Sequence, residues 1–248
     1  MKPFLILQLR PEGEAADDEF RAFLEKGGLG SGEVRRIRLD QEPLPPDLDL
    51  HDYSGVIVGG GPGCVSDPPE TRDPLEAAIE AAIMGLMPQI TDEDFPFLGC
   101  CYGIGILGAH LGGPGAVSKE RWAEPVGAAS CEITGQGACD PLLAGLPQAF
   151  TALVGHKEAL QCLPAGCVDL VRSDSCPFQM VRHGKNVYAT QFHPEADAAV
   201  FERRIRLYRN HGYFAPDEAD DLIRALQGVN AEAPGKILHN FVQRYRRG

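Results

Sequence analysis

The sequence predicts an α/β fold in which a mostly parallel central sheet is flanked by helices and carries a small antiparallel insertion. Apolar strand-like segments alternate with amphipathic helical segments up to about residue 111, and short strand-like runs with few helices between them follow. Strands that alternate with helices favour a parallel sheet covered on both faces, whereas closely spaced strands favour antiparallel pairing. A chain of 248 residues is long enough to form one main domain.

The first part of the chain supplies four predicted strands and three predicted helices. A short apolar run predicts a buried strand, and a one-sided apolar pattern that stops at glycine predicts a helix. The strands are "FLILQL" at 4–9, "VRRIRL" at 34–39, "GVIV" at 55–58 and "FPFLGC" at 95–100, and the helices are expected at 14–28, 73–90 and 101–111. Two of these strands run directly into glycine-rich turns, "GGGPG" at 59–63 and "GCCYG" at 99–103.

The second part of the chain changes character. Short strands are predicted at 124–134, 149–155, 167–173, 177–182 and 186–192, and a helix is predicted after residue 193. We expect residues 1–211 to form the functional domain and residues 212–248 to form a helical C-terminal extension, with helices at 217–226 and 236–245. The extension either packs onto the domain or mediates self-association, so a homo-oligomer is one possible assembly.

Composition and charge limit the classes of partner. The formal net charge of −12 argues against nucleic-acid or anionic-membrane binding, because phosphate neutralisation needs clustered lysine and arginine. The opening apolar run is too short for a signal peptide and no window approaches a membrane span, so a cytoplasmic protein with a small-molecule substrate is expected. The eight cysteines are scattered without CxxC pairs or zinc-ligand spacing, so we expect no metal site.

Two adjacent cysteines in "FLGCCYGIGILG" raise the question of which one reacts. A nucleophile placed on a sharp strand-to-helix turn needs small residues two positions before and two positions after it. Cys101 has Gly99 and Gly103 at these positions, whereas Cys100 has larger neighbours and is expected to pack inward. Cys101 is therefore the candidate nucleophile, and the positive end of the following helix is expected to favour its thiolate.

A base and an orienting carboxylate follow the last predicted strand in "QFHPE". Residues two apart in an extended segment face the same way, so Glu195 can hold one ring nitrogen of His193 and leave the other for a thiol. Attack on an amide creates an oxyanion that backbone N–H groups must stabilise. We expect these donors to be the amide of Tyr102 at the turn and the amide of Gly61 in "GGGPG", where glycines allow close approach.

Each of these features has a structural interpretation when it is taken alone. A glycine turn is often only a tight loop, most cysteines fill cores, and a histidine before proline is more often structural. Their occurrence in the order glycine turn, Gly-flanked cysteine and His-x-Glu, each at a predicted strand end, favours a Cys101–His193–Glu195 catalytic triad.

These motifs resemble the class I, or triad, glutamine amidotransferases, and most closely the glutaminase domain of GMP synthetase. The resemblance covers about residues 4–207 and rests on "GGGPG", "GCCYGIG" and "QFHPE", with support from "VGHKEAL" and "SDSCPFQM". It implies a flavodoxin-like class I glutaminase fold and no cofactor. It also implies that the Cys101 thiolate attacks the glutamine side-chain amide, that ammonia leaves, and that water hydrolyses the γ-glutamyl thioester, with Gly61 and Tyr102 as oxyanion donors.

The chain departs from the family pattern at two points. The family motif usually continues to a glutamine that shapes the substrate pocket, and Gly105 stands there instead. We expect Gly60, Gly105 and His156 to contact the substrate. Nothing in the sequence resembles the ATP-pyrophosphatase domain of GMP synthetase, so an amination reaction would need a separate synthase subunit as partner.

Three hypotheses follow from the sequence. The leading one is a stand-alone glutamine amidotransferase-like enzyme that hydrolyses glutamine to glutamate and ammonia. The second, motivated by Gly105, is a γ-glutamyl hydrolase that uses the same triad on another γ-glutamyl compound. The third is a glutaminase subunit or regulatory module that becomes active only with a synthase partner.

Overall fold

The computed structural model describes residues 2–211 and 214–247 and has the predicted α/β architecture. Its strands are β1 (Phe4–Gln8), β2 (Val34–Arg38), β3 (Gly55–Val58), β4 (Phe97–Cys100), β5 (Val117–Ser118), β6 (Glu124–Ile133), β7 (Ala149–His156), β8 (Ala159–Leu160), β9 (Cys167–Ser173), β10 (Met180–His183) and β11 (Val187–Thr190). Its α-helices are α1 (Gly13–Gly27), α2 (Pro74–Asp92), α3 (Tyr102–Gly112), α4 (Ala198–Leu207), α5 (Ala219–Leu226) and α6 (Ala233–Tyr245).

Nine strands form one sheet in the order β2-β1-β3-β4-β11-β10-β9-β6-β7. The first five strands in this order are mutually parallel, and β10, β9, β6 and β7 continue the sheet through antiparallel pairs. The expected antiparallel part is thus an extension of the main sheet, and β5 and β8 form a separate antiparallel pair. Parallel strands deliver their carboxyl ends to one edge, so the turns after β3, β4 and β11 meet there.

The central strands are buried on both faces, as expected for strands covered by helices. Along β1, Phe4 and Ile6 belong to one hydrophobic cluster, whereas Leu5 and Leu7 belong to another. This alternation follows from the two-residue period of a strand. The first cluster also contains apolar side chains of α1 and α6, and the second contains those of α2 and α3, so each face of the sheet carries its own core.

Helix α6, in the predicted C-terminal extension, packs into the first core. Phe241 is fully buried, and its ring centroid lies 6.1 Å from that of Phe4 in the first strand. The predicted boundary at residue 212 stays a prediction, because residues 212 and 213 lie outside the described residues. Across the described ranges, no helix combines the length and the apolar character that a membrane crossing requires.

Candidate functional site

Cys101 lies at a strained turn between β4 and α3. Its backbone has φ 55° and ψ −88°, a conformation that side-chain-bearing residues seldom adopt. Its amide donates a 2.7 Å hydrogen bond to the carbonyl oxygen of Thr190 at the end of β11. A Cβ on Gly99 would lie only 2.9 Å from the backbone of Gly103, so position 99 requires glycine. The geometry is that of a nucleophile elbow.

The two adjacent thiols have different surroundings. Cys100 is fully buried, as expected, whereas Cys101 is partly exposed and lines a cavity. Burial nevertheless raises the pKa of the Cys101 thiol to about 12, and the carboxylates of Glu195 and Glu158 contribute while Arg10 opposes them. The helix end is expected to favour the thiolate, but burial of the sulfur acts in the opposite direction and favours the neutral thiol in the resting site.

His193, Glu195 and Arg204 form a buried hydrogen-bonded group just after β11. His193 Nδ1 lies 2.9 Å from Glu195 Oε1, and Arg204 Nη2 donates to the same oxygen at 2.9 Å. His193 and Glu195 thus come from the segment that follows β11, and Arg204 comes from α4. Burial lowers the pKa of His193, and Arg204 and Arg10 lower it further against the attraction of Glu195.

The charge state of this group follows from these contacts. Its histidine and arginine neighbours hold the pKa of Glu195 well below its usual range, although burial alone would raise it. An ionised Glu195 accepts a hydrogen bond from Nδ1–H of His193, which leaves Nε2 as the basic nitrogen. The resting site therefore combines a neutral thiol with a neutral imidazole.

The glycine turn after β3 is held by a second buried ion pair. Glu19 accepts hydrogen bonds from Arg10 Nε at 2.9 Å and from the amide of Gly60 at 3.2 Å. A Cβ at Gly60 would approach both Arg10 and His193 to 2.7 Å, and one at Gly61 would lie 3.0 Å from Leu9. Only glycine lets this turn sit between β1 and the His193 segment.

A cavity of about 410 Å³ opens at this edge of the sheet, a volume in the usual range for small-molecule sites. Among the predicted site residues, it is lined by Cys101, Tyr102, Gly61, Gly105 and His156. His193 lies in a smaller neighbouring pocket, and Val126 and Gly155 line both spaces. Gly60 contacts the His193 side of the turn and is absent from the lining of the larger cavity.

Glu158 takes up space beside Gly105. A Cβ at Gly105 would lie 3.1 Å from Glu158 Oε1 and 3.2 Å from a methyl group of Val65. The Glu158 carboxylate accepts the amides of Val65 and Ser66, each at 2.9 Å, and the Ser66 hydroxyl at 2.6 Å. A longer side chain at position 105 would displace this carboxylate.

The His156 side chain connects parts of the cavity wall through both of its ring nitrogens. Its Nδ1 lies 2.9 Å from the carbonyl oxygen of Glu158, and its Nε2 lies 2.8 Å from Glu124 Oε2. Both ring nitrogens are thus engaged with protein atoms, and a substrate contact from His156 stays a prediction. Ligand atoms of Glu124, His156 and Cys176 lie within 4.8 Å of one another, a grouping that could hold a metal ion. Since Glu124 and His156 satisfy each other, this grouping does not require one.

The chain belongs to the class-I glutamine amidotransferase family, whose sequence model matches residues 31–209. Curated relatives include the glutamine-hydrolysing GMP synthases of Lactococcus lactis, 32% identical over 59% of this chain, and of Thermosipho melanesiensis, 34% identical over 69% of it. The matches cover only 25% and 31% of these two proteins. The chain is therefore similar to one portion of GMP synthase.

Solved structures share the fold over the whole chain. A glutamine amidotransferase from Thermotoga maritima matches with a TM-score of 0.76 and 18% identity, covering 100% of both chains. A glutamine amidotransferase from Methylobacillus flagellatus matches with a TM-score of 0.72 and 20% identity, and the match covers 99% of this chain and 94% of the Methylobacillus chain. At these identities the likeness establishes the fold alone.

Sequence reasoning missed the buried charged residues that support the site. Glu19, Arg204 and Glu158 each contact a predicted site residue or its immediate surroundings. The spacing of polar residues along α1 and α4 did not distinguish Glu19 and Arg204 from the solvent-exposed charged residues of the same helices. Glu158 lies within "VGHKEAL", but nothing in the sequence indicated that its carboxylate is buried.

Proposed function

We propose that this protein hydrolyses the side-chain amide of glutamine to glutamate and ammonia through a γ-glutamyl thioester on Cys101. The observation that supports this most directly is the Cys101 elbow, which opens into a cavity of small-molecule size. The His193–Glu195 pair lies at the same edge of the sheet, and His193 lines a neighbouring pocket. Family membership supports the same reaction class. Cys101 is the nucleophile, His193 the base and Glu195 its orienting partner.

The first chemical step forms the thioester. The Cys101 sulfur attacks the amide carbon while its proton passes to Nε2 of His193, so the thiol need not ionise beforehand. The resulting oxyanion accepts hydrogen bonds from the amides of Gly61 and Tyr102. Tyr102 is the first residue of α3, where backbone N–H groups have no partner within the helix. The imidazolium then protonates the leaving nitrogen, and ammonia departs.

The second step releases glutamate. A water molecule gives a proton to His193 and attacks the thioester carbon, and the Cys101 sulfur leaves and regains a proton from the imidazolium. Throughout both steps Glu195 accepts a hydrogen bond from Nδ1–H of His193, which fixes the ring and stabilises its charged form. Arg204 keeps Glu195 ionised for this purpose.

A γ-glutamyl compound other than free glutamine is the second candidate substrate. The side-chain position of the usual pocket glutamine is filled by Glu158 and Val65, which changes the chemistry of the wall that faces the substrate. Loss or replacement of one polar contact can change discrimination between related substrates by orders of magnitude. The same triad would cleave either amide.

A synthase subunit is the proposed recipient of the ammonia. The proposal rests on the curated relatives, which are GMP synthases and which the matched segments span only in part. A cytoplasmic location belongs to the same proposal. A glutaminase subunit that becomes active only with a synthase partner is the alternative to a stand-alone enzyme, and addition of a synthase subunit to an inactive isolated chain would support it.

Ammonia release from glutamine tests the reaction and the nucleophile together. The wild-type chain is expected to release ammonia, Cys101→Ala to release none, and Cys100→Ala, a change at the neighbouring buried thiol, to retain activity. Equal release by wild type and Cys101→Ala would show that another group is the nucleophile. Incubation with a panel of γ-glutamyl compounds, followed by mass measurement of the acylated protein, identifies which substrate forms the thioester.

A further inference from the structure

Glu19 of α1 is a fully buried carboxylate that packs against the glycine turn after β3. Its Oε1 accepts hydrogen bonds from Arg10 Nε at 2.9 Å and from the Gly60 amide at 3.2 Å, and its Oε2 accepts from Gln8 Nε2 at 2.9 Å. A Cβ on Gly59 would lie only 2.5 Å from Oε2. The position of the turn therefore depends on this carboxylate.

The same oxygen of Glu19 lies near the residues that support the triad. Arg204 Nη2 is 4.0 Å from Glu19 Oε1 and 2.9 Å from Glu195 Oε1. Glu195 Oε1 in turn lies 2.9 Å from His193 Nδ1. In a buried network of this kind, displacing one charge leaves its neighbours unpaired at a high cost, so the members hold one another in place. Glu19 thus connects the glycine turn with the His193–Glu195 pair.

We infer that Glu19 is a positioning residue that orients the oxyanion-binding amide of Gly61 relative to the triad. The inference rests on the proposed function, because it assumes an attack by Cys101 that creates an oxyanion. Gly61 follows Gly60 directly and lines the same cavity as Cys101. Its amide donates to no protein group within residues 2–211 and 214–247. Such a donor is effective only when it points to the place where the negative charge develops.

The partners of Glu19 require a carboxylate at this position. Arg10, Gly60 and Gln8 all present donors, and an ionised carboxylate has only acceptors. Gln8 is held in this orientation because its Nε2 also donates to the carbonyl oxygen of Ala16 at 2.7 Å. A glutamine side chain has one acceptor oxygen and one donor nitrogen. Glu19→Gln therefore keeps the size of the side chain but sets an NH₂ group against a donor on one side or the other.

Two reagents that react with the same sulfur by different routes test the inference. With p-nitrophenyl acetate, the Cys101 sulfur bonds to the carbonyl carbon through a tetrahedral oxyanion, p-nitrophenolate leaves with the electron pair, and the thiol proton passes to His193. With iodoacetamide, the sulfur bonds to the methylene carbon, iodide leaves with the electron pair, the thiol proton passes to His193, and no oxyanion forms. Both rates are followed by mass spectrometry of the peptide that contains Cys101, with Cys101→Ala as the blank.

Glu19→Gln is expected to slow acylation of Cys101 by about 10- to 100-fold, the cost of a misplaced oxyanion donor. Its alkylation rate should stay at the wild-type value, because alkylation creates no oxyanion. With glutamine as substrate, kcat should fall and KM should change little, since the donor acts in the transition state. If Glu19→Gln does not fold, Glu19→Asp, which keeps the charge but draws it one methylene away from the Gly60 amide, is expected to show the same selective loss.

Asp18→Asn is the matched control. Asp18 is the neighbouring buried carboxylate on α1, and its Oδ1 accepts a hydrogen bond from Arg203 Nε of α4 at 2.8 Å. It lines a different surface pocket, on the outer side of α1 and α4, which contains no residue of the glycine turn. Asp18→Asn should leave the ratio of acylation to alkylation at the wild-type value.

The outcomes separate this inference from the proposed function. A proportional slowing of both reactions in Glu19→Gln, or unchanged acylation in a folded Glu19 variant, overturns the positioning role. The same selective loss in Asp18→Asn also overturns it, because any buried charge between α1 and α4 would then have the same effect. If the wild type releases no ammonia from glutamine but Glu19→Gln still loses acylation selectively, the proposed hydrolysis is wrong and the positioning role is supported.

Discussion

Replacing Arg204 with methionine is expected to shift the pH dependence of glutamine hydrolysis. Arg204 is 6% exposed, its Nη2 donates to Glu195 at 2.9 Å, and its Nη1 lies 3.3 Å from His193 Nδ1. The guanidinium charge, together with burial, lowers the pKa of His193. Its removal favours the imidazolium, so the pKa of His193 rises and the basic form is lost at a higher pH than in the wild type.

The size of this effect follows from the charge separation. Two unit charges about 4 Å apart interact with about 1 kcal/mol in water and about 4 kcal/mol in the effective dielectric near a protein surface. Because the site is buried, we expect loss of the guanidinium charge to change the protonation free energy of His193 by more than about 1 kcal/mol. A change of about 1.4 kcal/mol corresponds to a tenfold change in the protonation equilibrium. Loss of the partner of Glu195 is also expected to lower the free energy of unfolding by about 3–5 kcal/mol.

The assay is kcat/KM for ammonia release measured as a function of pH. In Arg204→Met the acid limb of the profile should move to higher pH, with the activity recovering towards the alkaline side. Arg206→Met is the matched control, because Arg206 lies on the same helix but pairs with Glu202 at the surface, and its profile should not move. An acid limb in folded Arg204→Met that coincides with the wild-type limb would refute the role assigned to this charge.

Three further predictions concern the elbow, the thiol and the C-terminal helix. Gly99→Ala should lower the free energy of unfolding by about 1–3 kcal/mol in urea titrations. Gly103→Ala should lower it less, because a Cβ there would lie 3.8 Å from its nearest neighbour. Similar losses in the two variants would contradict the packing described. Iodoacetamide should label exposed Cys139 readily at pH 7.5 and Cys101 slowly, with the Cys101 rate still rising above pH 10 because its pKa is about 12; a plateau near pH 8 would be inconsistent with that pKa. Phe241→Ala should cost about 3–5 kcal/mol, and a near-neutral result would show that α6 is dispensable to the core.

The sequence predicted the elements of the fold well because their signals are local. Buried strands such as β1 and β4 are short apolar runs, and the elbow needs only small residues at fixed spacing around Cys101. Parallel pairing then brings the ends of β4 and β11 together, since Cys100 is opposite Thr190 in the sheet register. A motif at a strand end can therefore be placed at the site without knowledge of any distant contact.

The charged surroundings of the site could not be predicted in the same way. Glu19 reaches the amide of Gly60 across 41 positions, and Glu158 reaches Val65 across 93. Neither contact leaves a periodic or motif signal in one sequence. The same limit applies to the ionisation of Cys101. The helix dipole can be inferred from local sequence, but the desolvation that raises the pKa of the thiol depends on the assembled fold.

These charges are arranged so that the resting site stays unreactive. Burial and nearby carboxylates keep the proton on the sulfur of Cys101, while burial and two arginines keep His193 neutral. A neutral pair needs no counter-ion, and in the proposed reaction proton transfer and attack on the substrate occur together.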